Sequence, residues 1–354
     1  MNYFITERQP TDANMKNAAN KARADVETIL SRLDWKEIPI VLPYKEKNSL
    51  ISSVTQNIDY YNAWKSKLSD LKAGDSVLIQ FPPKSHSLLY PHLMKSLRRR
   101  GVESIFLIHD LERLRYINDT TIGLKKKLRM NIEETTLLKS ADKVIAHNPD
   151  MIKYLIGEGI PKSKLVSLGI FDYVMDNFSI SEKSLSNQVI IAGNLSAEKV
   201  GYISYLSRIS DVSFQLYGVG FDEDSAGDNI TYHGSFMPDE LPEHLQGSFG
   251  LVWDGDSADT CSGMYGDYLR YNDPHKTSLY LSCGFPVIVW KESAISKYVL
   301  KHNAGIAVSS LYEIGSEIAK LTPQDYAAMC ENARKIAANA QKGNYLKTAL
   351  SGKV

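Results

Sequence analysis

Lys276 stands in the run Asp273-Pro274-His275-Lys276, and that order of side chains suits the capture of an anion. Proline loses no hydrogen bond at the first position of a helix, and an aspartate before it accepts from free N–H groups. The spacing therefore predicts a helix with Asp273 as N-cap and Pro274 at its first position. His275 and Lys276 then fall in the first turn. There the unpaired N–H groups and the positive end of the helix dipole favour an anion, and Lys276 adds a full charge. A diphosphate is the ligand such a terminus suits. Gly284 closes the helix, and Phe285–Trp290 reads as an apolar strand buried on both faces. The same residues also read as an ordinary helix–loop–strand unit with a lysine in water.

Other polar groups sit just past apolar runs, where ligands of open α/β sheets bind. Ile191–Leu195 carries Gly193, which permits close backbone approach, and Asn194, with Lys199 following in reach of a phosphate. Tyr217, beside Gly218 and Gly220, offers a ring on which a uracil base stacks. Asp254 follows Gly250–Trp253 and is placed to accept hydrogen bonds from sugar hydroxyls. In the first half, Phe106–Arg115 ends an apolar run in His109 and Asp110. A carboxylate or imidazole there can take a proton from an attacking hydroxyl, and Asp110 is the expected base. The loop after the first strand holds Glu7, Arg8 and Asp12, expected on an acceptor, with Glu7 and Asp12 as alternative bases. For each of these the plainer reading is a turn, a cap or a packed side chain.

The elements that must position them alternate. Strands are expected at Asn2–Thr6, Ser76–Phe81, Ser104–His109 and Lys143–His147, with helices at Asp12–Leu33, Pro91–Arg100, Lys125–Ser140 and Pro149–Glu158. A second set follows, with strands at Val189–Ala192, Ser213–Tyr217, Ile230–His233, Gly250–Trp253, Pro286–Trp290 and Gly305–Val308. This βα alternation implies parallel, doubly wound sheets. The stretch 171–187 is polar and without sustained period. The expected division is residues 1–172, a linker at 173–187, a second domain at 188–322, and a C-terminal helix and tail at 323–354 that packs back across both.

Length and composition agree with two α/β domains. The chain has 354 residues, 43% hydrophobic and 23% charged, more than one core usually supports. Forty-one cationic residues balance 41 acidic ones, which argues against nucleic acid as a partner. No apolar run reaches bilayer length, so a cytoplasmic protein is expected, with room for peripheral membrane contact and for a homo-oligomer. Cys261, Cys283 and Cys330 show no metal-ligand spacing, and neither metal nor disulfide is expected.

Asn272–Trp290 resembles a segment of nucleotide-sugar glycosyltransferases of the GT-B type, matching at Pro274, Lys276, Tyr280, Leu281, Gly284, Pro286, Val287 and Ile288. Leu279 departs from it, standing where many such enzymes carry a ribose-binding glutamate. Together with Ala22–Glu27, Phe106–Arg115, Leu168–Tyr173 and Gly250–Gly255, the segment is similar to bacterial galactofuranosyltransferase-type enzymes. It is more distantly similar to streptococcal glucosyltransferases of adhesin glycans. The resemblance implies a GT-B fold, two Rossmann-like domains facing across a cleft. It also implies a UDP-sugar donor with no further cofactor, and a glycan acceptor in cell-surface polysaccharide or glycoconjugate synthesis. Lys276 would contact the diphosphate. Galactofuranose is the expected sugar; the alternatives are UDP-glucose, or a non-catalytic GT-B-like protein that binds glycans.

Overall fold

The structure, a computed structural model, describes residues 1–8, 18–41, 50–84, 87–117 and 123–352. Six strands form the first sheet: β1 (Asn2–Arg8), β2 (Lys36–Val41), β3 (Ser76–Phe81), β4 (Glu103–Ile108), β5 (Lys143–Ala146) and β6 (Leu165–Ser167). Their order is β2-β1-β3-β4-β5-β6, and every ladder is parallel. Six more form the second: β7 (Gln188–Asn194), β8 (Ser213–Val219), β9 (Ile230–Tyr232), β10 (Phe249–Val252), β11 (Val287–Trp290) and β12 (Gly305–Val308). These run β9-β8-β7-β10-β11-β12, again all parallel. That is the 3-2-1-4-5-6 order of a doubly wound dinucleotide-type sheet.

Parallel strands covered on both faces need continuous apolar runs, and β10 and β11 are buried at every residue. The two edge strands β2 and β6 are different. In β2 only Ile38 and Ile40 are buried, with Pro39 between them, a residue an edge strand tolerates. No residue of β6 is fully buried. Neither strand was expected from the sequence, nor was the helix Leu50–Lys67.

The chain returns to its start. Helix Pro323–Ala340 opens with a capping box between Thr322 and Asp325 and packs on helix His275–Ser282. After a left-handed turn at Gly343 comes helix Asn344–Ser351. Leu346 and Ala349 of that helix enter the same apolar cluster as Phe4, Val26, Ile29 and Leu78 of the first domain. Asp172 holds its N-terminus, accepting from the N–H groups of Tyr345 (3.1 Å) and Leu346 (2.8 Å). The stretch expected as a polar linker begins buried, at Tyr173 and Val174. Among the described residues no helix is long and apolar enough to cross a membrane.

Candidate active site

In the second sheet β7 and β10 are neighbours, while the chain leaves them toward opposite edges. In open α/β sheets ligands bind beyond the carboxyl ends of such a pair. Asp254 follows β10 there, and the Lys276 ammonium donates to its Oδ1 (2.8 Å) and to the Trp253 carbonyl (3.0 Å). The two side chains are only 12% and 8% exposed. Lys199 joins them. Asp254 raises the pKa of its ammonium, but burial, Lys276 and Arg115 lower it, and the outcome lies below the ordinary lysine value.

The first domain completes the cluster. Asp110, two residues past β4, pairs with the Arg115 guanidinium at 2.7 Å, and both groups act electrostatically on Lys199. The guanidinium lies 5.7 Å from the Tyr265 ring centre and 5.4 Å from that of Tyr268, while the Lys199 ammonium lies 5.8 Å from Tyr265. Three cations from two domains thus meet around Asp254 and Asp110. Arg115 Nε is buried without a hydrogen-bond partner. Asp110 is held where it is by a second contact: the next residue, Leu111, donates its N–H to the Tyr268 hydroxyl across the domain boundary (2.9 Å).

Two residues expected at the diphosphate turn away from it. Pro274, not Asp273, is the N-cap, and the helix begins at His275. Asp273 is drawn across the interface by the residues that follow β5: its N–H donates to His147 Nδ1 (3.0 Å), and its Oδ1 accepts from Asn148 (2.8 Å). An acceptor at Nδ1 puts the His147 proton on Nε2, which donates to the Ile108 carbonyl (3.1 Å). Burial pushes His147 down to about 4 and Asp273 up to about 8. The His275 ring packs on Tyr173 (5.1 Å) and Phe171 (6.0 Å), and burial lowers its pKa to about 4. Asp273 and His275 staple the domains; Lys276 alone of that turn reaches Asp254.

Tyr217 is also corrected. It is 1% exposed, its hydroxyl accepts from the Gln246 N–H (3.1 Å), and His233 stacks on its ring at 4.5 Å. No face is left for a base, because the pleat of β8 turns the ring into the core formed with Tyr280 and Leu245. Gly193 borders open space, and a Cβ on the neighbouring Gly218 would come within 1.7 Å of its carbonyl oxygen. Asn194 is exposed and closes a turn by accepting from the Ser196 N–H (3.0 Å). Leu279 lies in the core.

The first sheet has its own reversal of strand order between β1 and β3. A shallow, open pocket lies there, with Glu7, Arg23, Glu27, Gln80 and Lys84 around Trp64. Arg8 stands at the rim, bridged to Glu27 and Glu37 at 3.1 Å each. His109 does not point freely into the cleft. Its Nε2 meets Gln80 Oε1 at 2.7 Å, its ring stacks on Phe171 at 5.5 Å, and burial holds its pKa well below the usual histidine range. Asp12 lies outside the described residues. Arg115, Arg23, Glu27, Lys84 and Tyr265 were not singled out from the sequence; adjacency to a strand end was the one signal available, and for Lys84 alone.

Two doubly wound domains whose strand ends bring charged groups together across their boundary are the architecture of a GT-B glycosyltransferase. The chain belongs to the Glucosyltransferase 3-like family: residues 2–170 match its N-terminal domain and residues 189–352 its C-terminal domain. It is 32% identical to the beta-1,6-galactofuranosyltransferase WbbI of Escherichia coli K12, over 98% of this chain and 97% of that one. It is 23% identical to glucosyltransferase 3 of Streptococcus gordonii, over 93% and 92% of the two chains. Among solved structures, the lipopolysaccharide outer core galactosyltransferase WaaB shares the fold, with a TM-score of 0.53, 10% identity and full coverage of both chains.

Proposed function

We propose that this glycosyltransferase moves galactofuranose from UDP-galactofuranose to a sugar hydroxyl of a cell-surface glycan, with inversion and on the cytoplasmic side. The observation that carries this reading is the meeting of Lys276, Lys199 and Arg115 at the switch point of the second sheet. Glycosyl transfer develops negative charge on the departing diphosphate, and preorganised cations there stabilise it without reorganising at the moment of reaction. Asp254 then orients hydroxyls of the donor sugar. Asp110 takes the proton of the acceptor hydroxyl, and Arg115 fixes the direction of its carboxylate. The acceptor sugar occupies the β1/β3 pocket, whose Glu7 and Glu27 accept from its hydroxyls. No metal is required, since side-chain cations meet the charge. The likeness to WbbI supports the sugar.

The family description favours UDP-glucose as a second reading. A donor screen decides between them: purified protein is given UDP-galactofuranose or UDP-glucose with a panel of acceptors, and products are identified by NMR. Transfer from UDP-galactofuranose alone supports the first. Replacing Lys276 with alanine is expected to weaken UDP binding about tenfold or more by calorimetry, one charge-assisted contact being worth roughly 1.5–3 kcal/mol. Unchanged affinity removes Lys276 from the diphosphate site.

A further inference from the structure

Helix Leu124–Ser140 packs by its second half only. Leu137 and Leu138 are buried, whereas no described side chain from Leu124 to Thr136 is. Three large aliphatic residues on successive turns, Leu124, Leu128 and Ile132, are 86%, 58% and 52% exposed. Ile117, 45% exposed, is tied to the same end, its carbonyl accepting from Lys127 (3.3 Å). Scattered exposed leucines are ordinary, but a row at helical spacing is an unpartnered face. Within the row itself the charge has one sign. Residues 123–132 contain Lys125, Lys126, Lys127 and Arg129 and no acid; Arg129 is paired to Glu133, one turn on.

Apolar side chains projecting from a basic helix suit one kind of surface: aliphatic groups enter the acyl boundary while ammonium groups meet anionic headgroups. We propose that this half-helix docks the enzyme on an anionic lipid bilayer. The position fits use. Glu134, on the same helix, accepts from the N–H groups of Glu112 (2.9 Å) and Arg113 (3.3 Å), so the docking face adjoins the segment that carries Asp110 and Arg115. On the function proposed above, a bound enzyme turns its cleft toward acceptors held in the membrane plane.

The test needs no acceptor and no turnover. The full chain is floated with vesicles of one part phosphatidylglycerol to three of phosphatidylcholine, and with phosphatidylcholine alone. Wild type is expected to float with the anionic vesicles and to lose binding at high salt. The triple variant Leu124→Ser, Leu128→Ser, Ile132→Ser and the charge variant Lys125→Gln, Lys126→Gln, Lys127→Gln should each lose at least about fivefold of the bound fraction, with thermal unfolding unchanged. No flotation of wild type overturns the proposal, as does equal flotation of the variants or equal binding to neutral vesicles. Concentration-dependent self-association in sedimentation, abolished by the triple serine variant while wild type ignores vesicles, would assign the face to a second copy instead.

Discussion

Lys276 and Asp254 hold each other in a nearly closed site, so on the proposed function an arriving diphosphate must take the ammonium from a partner already in place. Desolvated pairs of this kind fix geometry rather than add stability. Asp110 is a different case, 39% exposed and anchored by Arg115. If it removes the acceptor proton, Asp110→Asn should lower kcat by about a hundredfold or more while UDP affinity stays within about threefold, a base being worth 10²–10⁴. Initial rates and calorimetry on one preparation check this, and an undiminished kcat sinks the assignment. Lys276, Lys199, Asp254 and Asp110 were legible because each lies just past a strand or at a helix start. Arg115 was not. Within Glu112-Arg113-Leu114-Arg115 nothing in the spacing tells the arginine that pairs with Glu158 from the one that faces the cleft. Tyr217 was misread because a sequence gives the end of a strand but not which side of it is covered.

Outside helix Asp12–Leu33, whose expected start lies beyond the described residues, the expected helix ends fall within about a residue of those observed, and that residue mattered. Asp273-Pro274 has the local form of a capped start, yet the N-terminal domain offers Asp273 better partners in His147 and Asn148, and a contact from 126 residues away leaves no trace in local pattern. β2 and the polar helix Leu50–Lys67 were invisible for a related reason: half-exposed elements carry weak periodicity. The central strands were plain, since burial on both faces demands apolar runs. The short helix Glu112–Arg115 shows how one element sets another. Its first N–H groups rest on Glu134, whose pKa burial raises to about 7, so near neutral pH the group is partly uncharged. Glu134→Gln keeps one of the two acceptor oxygens and should preserve more activity than the alanine variant. Glu134→Ala strands both donors, and kcat should drop about threefold or more with a lower Tm. Equal rates for the two variants would show that the helix holds itself.

The two domains meet through groups whose charge burial suppresses. Asp273 keeps its proton to about pH 8 in the folded protein, against about 4 for a free carboxyl. Its folded pKa is raised, so its contribution is fully present below pH ~4 and drains away as pH climbs through 8. Asp273→Asn retains the oxygen that accepts from Asn148 and has no proton to lose. Its Tm should exceed wild type by several degrees above pH 8, at about 2–4 °C per kcal/mol, and converge with it toward pH 4. A constant offset across that range would place the effect elsewhere. The doubled architecture itself was readable from βα alternation, whereas the interface was not, since it joins residues such as Leu111 and Tyr268 that no local pattern relates. Helix Asn344–Ser351 belongs by position to the second half and by packing to the first. During synthesis, then, the first domain can form its sheet early but leaves the patch over Val26, Ile29 and Leu78 uncovered until residues 344–351 clear the ribosome. Its completion waits on residues 344–351, and a nascent chain halted anywhere in the second domain presents an unfinished first one to chaperones.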